Sequence, residues 1–234
     1  MKLIEEALQL MKESQKIVFM TGAGVSTASG IPDYRSMTGV YQGHDNPEYL
    51  LSHTCLMREP DKFYDFVKGL YHEEAQPNII HDVMKKLENT HQVSIISQNI
   101  DGLHDLAGSS RVVNFHGNLN DLYCLTCHQS VTTGDYLVSQ THQNCGGLIR
   151  PNVVLYEEGL SEEAIQTSIK WLEEADLVVI VGTTFKVYPF SGLIDYRHPD
   201  SQLLVINNEP IQLFEPHLLI QESAEAFFTK VEME

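Results

Sequence analysis

The chain has 234 residues, 42% of them hydrophobic, enough for one sizeable α/β domain or one such domain with a small inserted module. A net charge of −17 argues against nucleic acid as a partner, since a binder must lay a basic stripe along phosphates. An acidic surface suits a basic peptide, and the plain alternative is a solvated face that keeps the protein soluble.

The opening "MKLIEEALQLMKES" has leucines at helical spacing among acidic residues, so it reads as an amphipathic helix and lacks the layout of a secretory signal. No apolar run reaches the roughly 18 residues of a membrane span. No membrane partner and a cytoplasmic location are therefore expected. Four β-branched apolar runs follow in order: "KIVFMTGAG", "QVSIISQNID", "LVVIVGTT" and "QLLVINNEP". Each reads as a buried parallel strand, and helical patterns over 76–90 and 161–175 separate them. The alternation predicts an α/β fold, an open, mostly parallel Rossmann-like sheet with helices on both faces. Ligands of such sheets bind outside the carboxyl ends of the strands, so the four loops should share one crevice.

Residues 36–75 read as loop and short aromatic-rich helices, and residues 120–150 hold three of the four cysteines. Both stretches leave the sheet and return. We expect a small zinc-ribbon/helical lobe made of 36–75 and 120–150, and a Rossmann-like domain made of 1–35, 76–119 and 151–234. Cysteines clustered within 22 residues favour a metal in a reducing compartment over a disulfide framework. Cys55 stands apart and reads as a small buried hydrophobe.

The most informative segment is "TGAGVSTASGIPDYRS". Gly22 and Gly24 directly follow a strand, giving a tight turn whose backbone N–H groups can approach a phosphate. The third glycine position of a dinucleotide fingerprint falls on Thr27, which disfavours a hydride-transfer dehydrogenase. The segment resembles the signature GAGxSxxSGIPDFR of the sirtuins, NAD-dependent protein deacylases, with Tyr34 in place of Phe. "QPNIIH", "QNIDGLH", "FHGN", "GTT" and "INNEP" are similar to further sirtuin motifs, in the right order along nearly the whole chain.

The resemblance implies NAD as co-substrate. Its pyrophosphate would lie at Gly22, Ala23 and Gly24, with Thr27, Asp33, Tyr34 and Arg35 in the same cofactor loop. Its adenosine would lie near Gly182, Thr183, Thr184, Asn207, Asn208 and Glu209. The nicotinamide would sit by Ile100 and Asp101, whose carboxylate can accept from the carboxamide or else cap the helix before "GLHDLA". Gln98 would contact ribose hydroxyls and Asn99 would orient the ribose or a water. His116 would be the base, an imidazole able to take a ribose hydroxyl proton at neutral pH.

Sirtuins commonly carry a structural zinc on two Cys-x₂-Cys pairs. Cys124 and Cys127 match the first pair, and aligning "CGGLIRP" places Cys145 fourth and His142 third. Zinc accepts three thiolates and one imidazole. Loss of the metal, or His128 or Asp135 as the fourth ligand, stays open at this point.

"RPNVVLYEE" resembles the sirtuin edge on which an acyl-lysine peptide adds as a strand, with Val153, Val154 and Tyr156 along the tunnel and "KVYPF", including Val187, opposite. Glu157 replaces a glycine there. Val67 and Leu70 occupy the positions where acid-removing members carry Tyr and Arg, so an uncharged acyl group is expected, acetyl first. The function implied is deacylation of protein lysine with release of nicotinamide and O-acyl-ADP-ribose. Mono-ADP-ribosyl transfer is the alternative, and a non-catalytic NAD or acyl-ADP-ribose sensor is disfavoured by the intact Gln98, Asn99, Asp101 and His116.

Overall fold

The computed structural model describes residues 2–33 and 46–231. In chain order the elements are α1 (Lys2–Glu13), β1 (Lys16–Thr21), α2 (Pro47–Leu50), α3 (His53–Arg58), α4 (Pro60–Lys68), α5 (Ile79–Leu87) and β2 (Gln92–Ser97). There follow α6 (Leu103–Leu106), β3 (Val112–Asn114), β4 (Gly117–Cys124), β5 (Ser130–Val131), α7 (Thr133–Val138) and β6 (Ile149–Val153). The chain ends with α8 (Glu162–Glu174), β7 (Leu177–Val181), β8 (Gln202–Ile206), β9 (Leu218–Ile220) and α9 (Ala224–Phe228).

Six strands form a wholly parallel sheet in the order β3-β2-β1-β7-β8-β9. The period-2 alternation of the apolar runs sends alternate side chains to opposite faces. Ile17 and Phe19 of β1 enter one core with Val179 of β7 and Leu204 of β8, beneath α1, α5 and α9. Val18 and Met20 enter the other with Ile180 and Val205, beneath α8 and the 3₁₀ segment Ser191–Tyr196. Both long helical patterns in the sequence are present. α8 starts at Ser161, whose hydroxyl accepts from the Ala164 N–H, with Glu162 and Glu163 complementing the helix dipole.

The antiparallel sheet β5-β4-β6 stands apart from the parallel one. Its strands share a third core, including Leu56, Phe63, Val67, Leu122, Tyr136 and Ile149, with α3 and α4. The Tyr64 hydroxyl donates to the carbonyl of Tyr136, and that of Tyr71 to Leu119, binding the helical stretch to the cysteine-bearing stretch. Cys55 is fully buried in this core. β4 and β6 each run across a sequence position expected to separate lobes, 119/120 and 150/151. No helix among the described residues is long and apolar enough to cross a membrane.

Candidate active site

β1 sits centrally with β2 on one side and β7 on the other, so the chain leaves the carboxyl ends of β1 and β7 in opposite directions and opens a crevice there. The two loops are held together at backbone level. A Cβ on Gly24 would lie 2.7 Å from Gly182 Cα, and one on Gly22 would lie 2.6 Å from Thr183 Cβ. Gly182 itself has φ +61, which glycine adopts without strain. The N–H groups of Gly22 and Gly24, expected to face a phosphate, donate instead to the carbonyls of Val181 and Gly182. What these glycines supply is room for two loops to meet, and their own donors are consumed in the meeting.

Behind this contact lies a connected polar cluster. Asn99, 5% exposed, donates through Nδ2 to the Gly22 carbonyl at 3.1 Å and to Ser26 Oγ at 3.0 Å. Ser26 in turn donates to Asp101 Oδ2 at 2.7 Å. Asp101 Oδ1 accepts from the Leu103 N–H, so the carboxylate caps α6 while its other oxygen belongs to the cluster; the two readings of this residue coexist. Burial pushes the Asp101 carboxyl up, and the hydrogen bonds from Leu103 and Ser26 oppose that rise. Gln98 Oε1 accepts from Thr183 Oγ1, and its buried Nε2 has no partner among the described residues.

His116 lies between β3 and β4, beside Phe115, whose ring meets it edge-on at 5.4 Å. Its Nδ1 is 3.2 Å from the Gln98 carbonyl. A carbonyl can only accept, so Nδ1 carries the proton and Nε2 is the basic nitrogen of the neutral ring. Burial lowers the imidazole's pKa, offset in part by that hydrogen bond. Gly117 follows because a Cβ there would fall 2.0 Å from the Asn152 carbonyl oxygen, and its φ is +86.

Of the other sequence-derived positions, Ala23 and Asn99 line one cavity with Ile100 and Asp101, at the inner end of the crevice. Thr27 is exposed with its hydroxyl on the Gly24 carbonyl, and Asp33 is half-buried. Thr184, Asn208 and Glu209 are exposed on the loops after β7 and β8, and Asn207 Nδ2 donates to the Glu209 carbonyl. Tyr34 and Arg35 lie outside the described residues.

At the peptide edge, Val153 is buried in the small-lobe core, whereas Val154 is half-buried and its N–H donates to the His116 carbonyl. The backbone of Tyr156 is paired with Leu51 and His53. Glu157 adopts φ +75, the conformation a glycine would take freely, and its carboxylate turns to Thr54, accepting from the N–H at 2.9 Å and from Oγ1 at 2.7 Å. It caps the first turn of α3, so the Glu157 carboxylate does not stand free toward a peptide. Val187 is half-buried on the loop after β7.

Cys124, Cys127, His142 and Cys145 bring their ligand atoms within 4.8 Å of one another. Cys145 Sγ is 3.4 Å from Cys124 Sγ and 3.5 Å from Cys127 Sγ, and His142 Nδ1 is 3.2 Å from Cys127 Sγ and 3.3 Å from Cys145 Sγ. A disulfide would require about 2.05 Å. Zinc bonds of about 2.3 Å to sulfur and 2.0 Å to nitrogen give tetrahedral edges of roughly 3.5–3.8 Å, close to these spacings. The Thr126 N–H points at Cys124 Sγ, and Gly147 leaves the space a Cβ would take 2.6 Å from that sulfur. Asp135 is occupied at the start of α7 with Thr132, and His128 is not part of the cluster. The donor set is therefore consistent with a structural zinc, with His142 as the third ligand in chain order and the one non-thiolate.

Residues 22–189 match the model of the Sir2 family. A relative in Enterococcus faecalis is 56% identical over 97% of this chain and 95% of its own, and one in Listeria monocytogenes is 52% identical over 95% and 98%; both are named NAD-dependent protein deacetylase. The chain belongs to the Sir2 family, the sirtuins. Among solved structures, a Sir2 complex with deacetylated p53 peptide and 3′-O-acetyl ADP ribose superposes with a TM-score of 0.87 at 31% identity, covering 97% of this sirtuin and 96% of that chain. A Sir2–p53 peptide–NAD⁺ complex superposes with a TM-score of 0.84 at 31% identity, covering 97% and 96%.

Sequence reasoning passed over three groups of this sirtuin's residues. Ser26, the hub between Asn99 and Asp101, sits inside the quoted glycine segment, so a signal was there. His72 and Leu119 line the same cavity from distant parts of the chain, with no local pattern to announce them, beside Leu70, which the sequence marked only for the acyl group. His81 and His104, inside the motif copies "QPNIIH" and "QNIDGLH", meet at a tilt in the interior with ring centroids 4.7 Å apart, and burial pulls His81 down to about 4. They are neutral scaffold, with His104 Nε2 on Thr21 Oγ1 at the end of β1.

Proposed function

We propose that this protein is an NAD-dependent protein-lysine deacetylase that releases nicotinamide and forms O-acetyl-ADP-ribose from NAD, water and acetyl-lysine. One observation carries the reading: His116 presents Nε2 as its basic nitrogen at the crevice where Gln98, Asn99, Ser26 and Asp101 form one polar cluster. The 56% identical relative named for this activity supports it.

NAD would be held across the β1–β7 crevice, its pyrophosphate along residues 22–27 by groups other than the spent Gly22 and Gly24 amides, and its adenosine by 182–184 and 207–209. The buried Gln98 Nε2 is a donor for a ribose hydroxyl. Asp101 Oδ2 accepts from the carboxamide of the nicotinamide. The acyl oxygen of the substrate would attack the ribose carbon that bears nicotinamide and expel it. His116 would take the proton from a ribose hydroxyl as that oxygen attacks the acyl carbon, the lysine amine would leave with a proton, and water would complete O-acyl-ADP-ribose, with Asn99 holding the reacting ribose or that water. The peptide adds as a strand beside the 153–157 edge, with Val154 and Tyr156 offering side chains because their amides are already paired, facing Val187 across the groove, and the acidic surface favours basic sequences. Val67 and Leu70, buried in an apolar core, would leave an acyl carboxylate unpaired. Acetyl is the first choice and a longer apolar acyl the second. Zinc, held by Cys124, Cys127, His142 and Cys145, orders the small lobe and takes no part in the chemistry.

The test is mass spectrometry of the protein with NAD and a panel of acyl-lysine peptides. Acyl-ADP-ribose with free lysine peptide is expected, and His116→Tyr should abolish both while NAD still binds. ADP-ribose added to protein or peptide, with the acyl group untouched, would replace deacetylation with ADP-ribosyl transfer.

A further inference from the structure

His72 follows α4 and reaches the cavity that holds Asp101, Asn99 and Ser26. Its placement is fixed by its neighbours. Leu70 is buried in the small-lobe core, Tyr71 is anchored through its hydroxyl to the Leu119 carbonyl, and the His72 carbonyl accepts from the Ala75 N–H. Among the described residues lining this cavity, His72 and Asp101 are the two that titrate. The other walls include Ile31, Pro32, Leu70 and Ile100, which offer no solvation to a charge.

Among the described residues, two charged or titratable groups act on Asp101. Asp105, on α6, opposes its ionisation, whereas His72, on the loop after α4, favours it; the Ser26 hydroxyl and the Leu103 N–H are neutral donors. A bound ring that fills the cavity removes water from Asp101 and strengthens every such interaction. A carboxylate in that setting needs a counter-charge, and imidazole is the side chain that acquires one near neutrality.

We propose that His72 is a positioning residue for the nicotinamide group, acting through Asp101 as its cationic counterpart in the same cavity. This deepens the deacetylase reading and rests on it. With His72 charged, Asp101 stays an acceptor for the carboxamide at mildly acidic pH. Without it, the upward pull of burial on the Asp101 carboxyl meets less opposition, and the carboxylate weakens as an acceptor for the carboxamide as pH falls. His72 thereby sets the pH range over which free nicotinamide binds and inhibits.

The experiment measures nicotinamide inhibition of deacetylation between pH 6 and 8.5 for the unaltered protein, His72→Gln, His72→Lys and Asp101→Asn, with thermal melts to establish folding. For His72→Gln the half-inhibitory concentration should rise roughly three- to tenfold at the acidic end, the scale expected for loss of one nearby charge. It should converge with the unaltered protein at the alkaline end, where a histidine carries no charge. His72→Lys, cationic throughout, should restore inhibition at the acidic end. Superimposable pH profiles for folded His72→Gln and the unaltered protein, or a loss uniform across pH, would overturn the proposal. Asp101→Asn separates the two levels: if it leaves nicotinamide inhibition intact, the cavity is not the nicotinamide site, whereas loss in Asp101→Asn with none in His72→Gln removes only the role of His72.

Discussion

Arg150→Met should destabilise the protein by about 3–4 kcal/mol. Its guanidinium, 5% exposed by residue, makes a two-pronged pair with Glu158 at 2.6 and 3.0 Å. It also donates to the carbonyls of Val153 at 2.6 Å and Pro151 at 3.1 Å. Burial alone would raise the Glu158 carboxyl, but hydrogen bonds from Arg150, His53 and the Leu155 N–H, with the Arg150 charge, hold it down to about 2 from its usual 4.5. At 1.36 kcal/mol per decade the whole depression would be roughly 3 kcal/mol, and solvent screening of the partly exposed carboxylate, with the share that His53 and the Leu155 N–H keep in the variant, leaves about 1–1.5 for Arg150. Two backbone carbonyls stripped of their donors add about 1 kcal/mol each. The sum agrees with the roughly 3–5 kcal/mol typical of removing one partner from a buried pair. Because the carboxyl is depressed on folding, its contribution is complete above about pH 4.5 and fades as pH falls toward 2. The variant should therefore lose less stability than the parent across that window. Urea unfolding followed by circular dichroism at pH 7 and pH 3.5 measures both. Peptide KM should rise because residues 153–158 lose their anchor. A destabilisation under about 1 kcal/mol at pH 7 would refute the assignment of this pair as the clamp of the peptide edge.

Gly24→Ala puts a methyl 2.7 Å from Gly182 Cα, so the loops must part; a cost of about 1–3 kcal/mol and weaker NAD binding by calorimetry are expected, and unchanged affinity would count against the close-contact role. The purified protein should hold about one zinc per chain by metal analysis; Cys145→Ala and His142→Ala should lose it, while His142→Cys should keep it. Since burial lowers the His116 pKa and the neutral ring is the base, kcat/KM should be full above neutrality and fall through an acid limb below about 6.5; a limb above pH 7 would contradict this sign. Glu157→Ala should lower the melting temperature more than Glu157→Gly, because both lose the bonds to Thr54 but only glycine relieves φ +75.

The sequence by itself determined the parallel sheet, because a strand buried on both faces must be apolar at nearly every position, and β1, β2, β7 and β8 carry that composition openly. β9, three residues at the sheet edge, carries too little pattern to be read. The order of the motifs also located the polar cluster, since strand-end loops of such a sheet can only converge on one side. The choice among His142, His128 and Asp135 belonged to the tertiary structure, because ligation depends on where β4 and the hairpin before β6 bring their side chains. So did the fate of the glycine amides, which depends on a β7 loop 158 residues beyond Gly24. The Glu157 carboxylate and His72 were illegible for the same reason: each takes its meaning from a partner, Thr54 or Asp101, that only folding brings near. Local composition fixes which residues are buried and which can turn. Long-range contact fixes which donors are already spent and which remain for a ligand.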